Sequence, residues 1–168
     1  MKDNQSPVAY KTRHERLPAF ELVGFTKIVK SGGELYSEAR QDGRWDVLRT
    51  LAGEDGTVYG VASRDEECTK GHYRYTLAVK AAADKLEESP FRDSLFSIQI
   101  REAEWIFFAI EDFEAQYGRL WRDDPYKMIA KLGWAYNSEV GLHIDVFPPF
   151  YSAESDSMEF MMPVSKPA

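Results

Sequence analysis

The sequence contains one cysteine, Cys68, and three histidines among its 168 residues. A single thiol forms no intrachain disulfide, so a disulfide-stabilised secreted scaffold is excluded and a cytoplasmic location is expected. His14, His72 and His143 lie far apart and lack the paired spacing of metal ligands, so no metal site is expected. Phosphate-loop, dinucleotide and nucleophile-elbow motifs are also absent, which predicts no cofactor and identifies no catalytic residue.

Long apolar segments and an excess of basic residues are lacking too. The longest apolar runs, such as Trp105–Ile110, fall far short of the roughly 20 residues of a membrane-spanning helix, and the polar residues 1–11 do not resemble a signal peptide. The chain has 28 Asp and Glu against 21 Lys and Arg, a formal net charge of −7. A surface of this sign repels phosphate, so we do not expect direct binding of nucleic acid. Because the apolar runs are short, we do not expect membrane insertion either.

Aromatic residues, by contrast, are abundant. The chain has 10 Phe, 9 Tyr and 4 Trp, together 14% of its residues. Its length corresponds to one domain with one core, and such a core needs less ring surface than this. We therefore expect some of the rings to contact a ligand.

The order of the predicted elements repeats once along the chain. Residues 1–15 are polar and are predicted to form an N-terminal tail, which leaves residues 16–168 as a single domain. In the first half the predicted elements are a strand, a helix and two strands, at Phe20–Val29, Arg44–Ala52, Val58–Ala62 and Tyr73–Val79. A bulge or bend is predicted at Gly24, and a break after the first strand at Ser31-Gly32-Gly33. The same order is predicted in the second half, at Trp105–Ile110, Leu120–Leu132, Leu142–Phe147 and Met158–Val164. An extra strand is predicted before it at Leu95–Ile100, and the helix is predicted to restart at Asp124-Pro125.

Corresponding elements of the two halves are separated by a nearly constant number of residues. This indicates an α+β fold made of two pseudo-duplicated strand-helix-strand-strand modules. Their strands are expected to form one twisted antiparallel sheet, with both helices on one face. A ligand groove between the halves is then expected on the opposite face of the sheet.

The segment Val140–Phe147 alternates between two kinds of residue. The apolar set, which indicates a face in the core, is Val140, Leu142, Ile144 and Val146. The mixed polar and aromatic set is Gly141, His143, Asp145 and Phe147. This second set fits a solvated face of the strand. It also fits a groove in which the carboxylate of Asp145 lies among rings and takes a bound organic cation as its partner.

Candidate rings for such a groove come from both halves. They are Tyr73 and Tyr75 in one strand, Trp105 and Phe107 in the central apolar strand, and Trp134 and Tyr136 in a loop after the second helix. Trp105 and Phe107 equally fit burial in the core, because a continuous apolar run is usually covered on both faces. Trp134 and Tyr136 lie where loop residues often close over a ligand.

Several short motifs, in their order and spacing, resemble the GyrI-like or effector-binding domain of multidrug-sensing bacterial transcription regulators. They are Arg16–Gly24, the Tyr73-x-Tyr75 pair, the strand Trp105–Ile110, the segment Gly141–Phe147 and the closing Met161–Val164. The resemblance implies the two-module fold and an aromatic cleft with an acidic residue that binds lipophilic cations.

The acidic anchor and its aromatic partner in that family fall on Asp145 and Phe147 of this chain. Both differ from the family's Glu-x-Tyr pattern, because Asp is one methylene shorter than Glu and Phe lacks the hydroxyl that would hold the carboxylate. Glu159, on the neighbouring predicted strand, is the alternative anchor.

Three functions remain open from the sequence. The first is binding or sensing of hydrophobic, cationic small molecules. The second is a gyrase-inhibitor-like interaction with a protein partner, either a DNA-handling enzyme or a regulator. The third is hydrolysis of small electrophilic compounds by activated water. An exposed aromatic groove would also suit pairing of two subunits as a homodimer.

Overall fold

The computed structural model describes residues 10–53, 56–81, 83–111, 113–149 and 157–168. They form an α+β fold with one nine-stranded antiparallel sheet, open and twisted, as the sequence predicts. The strands are β1 (Thr12–Leu17), β2 (Phe20–Val29), β3 (Val58–Ser63), β4 (Tyr73–Val79), β5 (Phe96–Ile100), β6 (Ala103–Ile110), β7 (Ala135–Tyr136), β8 (His143–Phe147) and β9 (Met158–Ser165). The helices are α1 (Gly32–Asp42), α2 (Arg44–Ala52), α3 (Ala83–Glu88), α4 (Phe113–Asp123) and α5 (Pro125–Lys131).

The order of strands in the sheet is β1-β6-β9-β8-β3-β4-β2-β5, and β7 adds to β9. The two predicted modules meet where β3 pairs with β8, in a register that sets Gly60 opposite Asp145. On the other side of β3 the partner is β4, with Gly60 opposite Leu77. Residues of β4 and β8 therefore lie on either side of β3.

Most predicted elements are confirmed, several of them to the residue. The structure has β2, α2 and β4 at the predicted bounds, and the helix restart occurs where Asp124 caps α5 by accepting hydrogen bonds from the backbone N–H groups of Tyr126 and Lys127. Of the bulge or bend predicted at Gly24, the bulge is excluded, because β2 pairs in continuous register on both sides there. Gly24 instead allows a close approach, since a Cβ would overlap the carbonyl oxygen of Leu77.

Helix α1 is an element that the sequence pattern does not predict. The segment read as a break is the start of this helix: the Ser31 hydroxyl accepts from the backbone N–H of Gly33, and Glu34 reaches back to the N–H of Ser31. The helix ends at Gly43, whose φ of 88° is the left-handed conformation that glycine adopts at little cost. Each half thus carries a pair of helices, α1–α2 and α4–α5.

Strand β1 corrects the predicted N-terminal tail. Residues 12–15 of that tail are paired with β6, with Arg13 opposite Phe107. The strand lies at the edge of the sheet and its residues are mostly exposed, so its composition is polar and lacks the apolar alternation of a half-buried strand. Residues 1–9 lie outside the described part of the chain.

The two faces of the sheet are both covered, but differently. One face packs against helices: Leu35, Leu48, Leu120 and Ile129 belong to the same buried cluster as strand residues such as Phe160. The other face is a cluster drawn from strands and their immediate ends, with Leu22, Tyr59, Val61, Trp105, Phe107, Ile144 and Met161 among its buried members. The face on which a groove was expected is therefore filled by side chains of the sheet itself.

Among the residues that the structure describes, no helix combines the length and hydropathy needed to cross a membrane.

Candidate functional site

A cavity of about 640 Å³ lies on the helix-bearing face of the sheet, not on the opposite face. Strands β3, β4 and β8 form its floor, the start of α1 forms one wall, and residues of α4, α5 and β7 form the other. The volume falls within the roughly 300–1,000 Å³ of sites for drug-sized ligands. The cavity is thus bounded by helices from both halves of the chain.

The alternation of β8 decides which residues reach this cavity. His143, Asp145 and Phe147 line it, whereas Leu142 and Ile144 are buried in the core on the other face. Successive side chains of a strand point to opposite faces, so one row is available to the cavity and the other to the core. The predicted division of this strand into two rows is confirmed.

Asp145 is the carboxylate at the floor of the cavity. It is only 6% exposed, and the hydroxyl of Tyr75 donates a hydrogen bond of 2.7 Å to its Oδ2. Hydrogen bonds to an ionised acceptor are stronger than neutral ones and partly replace the water that burial removes. Asp145 is therefore a buried, hydrogen-bonded carboxyl group among aromatic rings.

Gly60 makes this hydrogen bond possible. It lies on β3, between Leu77 of β4 and Asp145 of β8. A Cβ at this position would overlap the hydroxyl and the ring of Tyr75. Because glycine leaves that space empty, Tyr75 extends across β3 and reaches a carboxylate two strands away.

The hydroxyl therefore comes from Tyr75 and not from the residue two positions after the acidic anchor. Phe147, which occupies that position, is almost fully buried and stacks on Tyr36 of α1 at 5.5 Å. It also makes an edge contact with Trp45 of α2 at 5.5 Å. Phe147 thus contributes to the cavity wall mainly by fixing the first pair of helices on the sheet.

Tyr73 connects the floor of the cavity to the start of α1. Its hydroxyl oxygen accepts a 2.6 Å hydrogen bond from the backbone N–H of Gly32. Burial raises the pKa of Tyr73, and the charge of Asp145 adds to this shift, whereas the bond from Gly32 opposes it. Tyr73 is accordingly neutral at physiological pH and presents its ring to the cavity.

The second half contributes a cluster of rings around His143. The imidazole stacks on Tyr136 at 5.4 Å and on Phe160 at 5.7 Å, and its Nε2 is hydrogen-bonded to the Tyr126 hydroxyl at 2.9 Å. Burial lowers the pKa of His143 to about 4, so the ring is neutral near pH 7. Burial also raises the pKa of Tyr136 to about 12. These rings therefore add polarisable surface but no charge.

The mouth of the cavity is more exposed than its floor and carries basic side chains. The rings of Trp121 and Tyr126 are 38% and 41% exposed there. Lys30 and Arg64 also line the cavity, both are exposed, and neither forms an ion pair with any residue in the described ranges. The cavity thus holds one buried carboxylate at its floor and two exposed cations at its mouth.

Six of the ten predicted site residues line this cavity: Tyr73, Tyr75, Tyr136, His143, Asp145 and Phe147. Two others, Trp105 and Phe107, lie in the core on the opposite face. The side chains of β6 alternate, and residues 105 and 107 belong to the row that faces away from the helices. For this pair, burial in the core is the correct interpretation.

Glu159 and Trp134 complete the set that the structure places elsewhere. Glu159 projects from β9 on the face opposite the cavity, where the guanidinium of Arg13 pairs with it at 3.1 Å. The same guanidinium lies 3.7 Å above the ring of Phe107. Trp134 is half-buried and stacks on His14 at 4.7 Å instead of lining the cavity.

Three cavity rings, Tyr36, Trp121 and Tyr126, were not among the predicted site residues. Tyr36 belongs to α1, which the sequence pattern does not predict, although Ser31 and Glu34 have the spacing of a capping box. Trp121 and Tyr126 fall inside a predicted helix. No local signal indicates which side of that helix faces the first half of the chain.

No protein-family model matches the sequence, and no curated protein matches it. Solved structures do. The structure of SAV2435 bound to tetraphenylphosphonium matches with a TM-score of 0.71 and 13% identity over 92% of this chain and 94% of that one. The EcmrR C-terminal domain matches with a TM-score of 0.57 and 11% identity over 94% and 99% of the two chains. A hydrolase encoded by lin2189 from Listeria innocua matches with a TM-score of 0.56 and 14% identity over 92% of each.

At this level of identity the likeness establishes a shared fold and leaves the residues of the site to be judged from this chain itself.

Proposed function

We propose that this protein binds lipophilic organic cations of drug-like size and acts as a small-molecule sensor of the GyrI-like, effector-binding type. The observation that carries the proposal is Asp145, a carboxylate 6% exposed at the floor of an aromatic cavity. Tyr75 supports the ionised form of Asp145, because a hydroxyl that donates to a carboxylate stabilises its negative charge. A cation seated against Asp145 would be attracted by this charge and by the ring faces around it.

The magnitudes are sufficient for useful affinity. At ~4 Å and an effective dielectric constant of about 20, the Coulomb attraction is roughly 4 kcal/mol. Each well-placed ring adds on the order of 0.5–2 kcal/mol, and desolvation of the ligand and the carboxylate reduces the sum. Micromolar binding requires about 8 kcal/mol, which these contributions reach together with burial of the ligand's apolar surface.

One solved neighbour supports the same class of ligand. SAV2435, whose fold this chain shares, holds tetraphenylphosphonium, a cation with four aromatic rings. The EcmrR domain is part of a protein solved as an EcmrR–DNA complex. We propose by analogy that this chain reports ligand occupancy to a protein partner, since its own charge of −7 opposes direct contact with DNA.

Calorimetry with a matched pair of ligands tests the proposal. Tetraphenylphosphonium is expected to bind at micromolar concentration, and neutral triphenylphosphine oxide at least about tenfold more weakly, which corresponds to 1.4 kcal/mol. Asp145→Asn keeps the shape of the side chain and should remove that difference. Glu102→Gln, which removes a carboxylate from the exposed surface, is the control and should retain it. Equal affinity of the wild-type protein for both ligands would exclude the mechanism.

Hydrolysis is a second candidate function, favoured by one polar arrangement in the cavity. Tyr126 and His143 are hydrogen-bonded to each other, and both line the cavity together with Asp145. One structural neighbour is a hydrolase. Asp145 would accept a proton from the attacking water while a ring hydroxyl donates to the leaving group. Mass spectrometry after incubation with a reactive ester decides this: product that disappears with Asp145→Asn supports hydrolysis, and intact ester excludes it.

A further inference from the structure

The charges of the cavity are separated into two levels. Lys30 directly follows β2 and Arg64 directly follows β3, the two strands that flank β4. The registers set Val29 opposite Tyr73 and Ser63 opposite Arg74. Both basic residues therefore lie at the same end of the sheet, on either side of the start of β4.

Asp145 lies farther from that end of the sheet. It is opposite Gly60, and Arg64 is four residues further along β3, which corresponds to about 13 Å at the rise of a strand. Tyr73, at the start of β4, lies at the end of the sheet with the two basic residues, and His143, opposite Ala62, lies between that end and Asp145. An elongated aromatic molecule at the floor would extend toward the two cations.

Lys30 and Arg64 form no ion pair with a described residue, unlike three other basic residues, on β2, α2 and β4. Lys27 pairs with Glu38, Arg44 with Asp42, and Arg74 with Asp65 and Glu67. Glu34, the acidic residue nearest to Lys30 in the chain, accepts hydrogen bonds from backbone N–H groups in the capping box. Lys30 and Arg64 thus keep their charge available at the mouth of the cavity although acidic residues exceed basic ones in the sequence.

We propose that the preferred ligand is bipolar, with a cationic aromatic part against Asp145 and an acidic group at the mouth between Lys30 and Arg64. This inference rests on the proposed function. A ligand that is only cationic gains the attraction of Asp145 but is repelled by the two side chains it passes. A ligand that also carries a carboxylate turns that repulsion into attraction. Exposed charge pairs are individually weak, so the expected preference is roughly three- to tenfold.

A carboxyl-bearing rhodamine and its methyl ester provide the matched probe. Both have the same cationic ring system, and they differ in whether the carboxylate is free. Fluorescence anisotropy with the wild-type protein should give tighter binding of the free acid, and raising the salt concentration should reduce this preference. The salt series needs no variant, so it tests the electrostatic origin in the unaltered protein.

Substitutions at the mouth then locate the effect. Lys30→Gln together with Arg64→Gln should abolish the preference for the acid, and Lys30→Glu together with Arg64→Glu should reverse it toward the ester. The control is Lys70→Gln with Lys166→Gln, which changes the net charge equally at exposed residues that do not line the cavity. This control should keep the wild-type preference.

The outcomes separate the two proposals. If the ester binds as tightly as the acid or more tightly, the bipolar ligand is excluded, and cation binding by the cavity stands. If the control loses the preference as fully as the mouth variant, general surface charge is responsible and the inference is overturned. If neither dye nor tetraphenylphosphonium binds, the proposed function fails and this inference fails with it.

Discussion

Asp145 and Glu159 lie on adjacent strands, and each has an aromatic ring and a polar partner, yet their surroundings differ. Glu159 pairs with the guanidinium of Arg13, which also covers the face of Phe107. Asp145 takes a hydrogen bond from a neutral hydroxyl, beside a cavity of about 640 Å³. On one face a guanidinium of the chain lies beside the carboxylate, and on the other face a cavity does. A smaller cavity, of about 330 Å³, also touches Glu159, so the two carboxylates differ in the guanidinium beside Glu159 and in the rings that line the cavity of Asp145.

The largest effect is expected on the pH dependence of stability. The imidazole of His143, beside Asp145, is neutral, whereas the guanidinium of Arg13, beside Glu159, is always charged. Burial lowers the pKa of His143 to about 4 from an ordinary value of 6.5. Between about pH 6.5 and about pH 4 the unfolded chain therefore binds a proton that the folded protein does not. The free energy of unfolding falls by up to about 3 kcal/mol over that window. Urea unfolding at several pH values should show this loss.

Other groups titrate in the same range, so the measurement needs a reference variant. In His143→Gln the contribution is absent, and the difference in unfolding free energy between this variant and the wild type should change with pH. A constant difference across the window would contradict a buried neutral imidazole.

The next effect concerns the hydroxyl that supports Asp145. Tyr75→Phe leaves a buried carboxylate without this donor and should lower the free energy of unfolding by about 1.5–3 kcal/mol, as for hydrogen bonds to charged groups. Tyr73→Phe removes a hydroxyl that accepts from a backbone N–H and should cost about 1 kcal/mol. Chemical denaturation of both variants gives the comparison, and equal losses would argue against a charged Asp145.

Gly60→Ala tests the space that allows Tyr75 to reach Asp145. The added methyl group overlaps the tyrosine hydroxyl, so the ring must move and the hydrogen bond must break. We expect a loss of stability of about 1–3 kcal/mol and weaker binding of tetraphenylphosphonium. Gly118→Ala is the control, because a Cβ there meets no atom within 4 Å. Unchanged ligand affinity in Gly60→Ala would show that Tyr75 does not help form the site.

The smallest effect is expected on the other face. Glu159→Gln removes one partner of a half-exposed ion pair and should change the unfolding free energy by no more than about 1 kcal/mol. Calorimetry with tetraphenylphosphonium should give the wild-type affinity. A loss of binding comparable to that of Asp145→Asn would restore Glu159 as the acidic anchor.

The sequence was sufficient for features that depend on periodicity. The alternation in β8 separates the core row from the row with Asp145, and the Asp124-Pro125 pair marks the start of α5. The sequence was insufficient where it had to predict which face of the sheet carries the helices. Trp105 and Phe107 lie in a continuous apolar run, and the face they occupy is decided by which side of the sheet the helices cover.

Two other failures have identifiable causes. Two glycines hide the start of α1, because glycine has low helix propensity even though a capping box is present. Strand β1 is polar because it is an exposed edge strand, and its pairing with β6 depends on residues almost a hundred positions away. Contacts over such distances in the chain are not recorded in any local pattern.

The Tyr75–Asp145 hydrogen bond joins residues 70 positions apart, and a third strand, with Gly60, runs between them. No fragment of the polypeptide that lacks any of these strands can assemble the floor of the cavity. If the cavity binds a fluorescent cation as proposed, its occupancy is therefore a measure of completed folding, and a ligand that binds only the finished structure will suppress partial opening of the sheet by mass action.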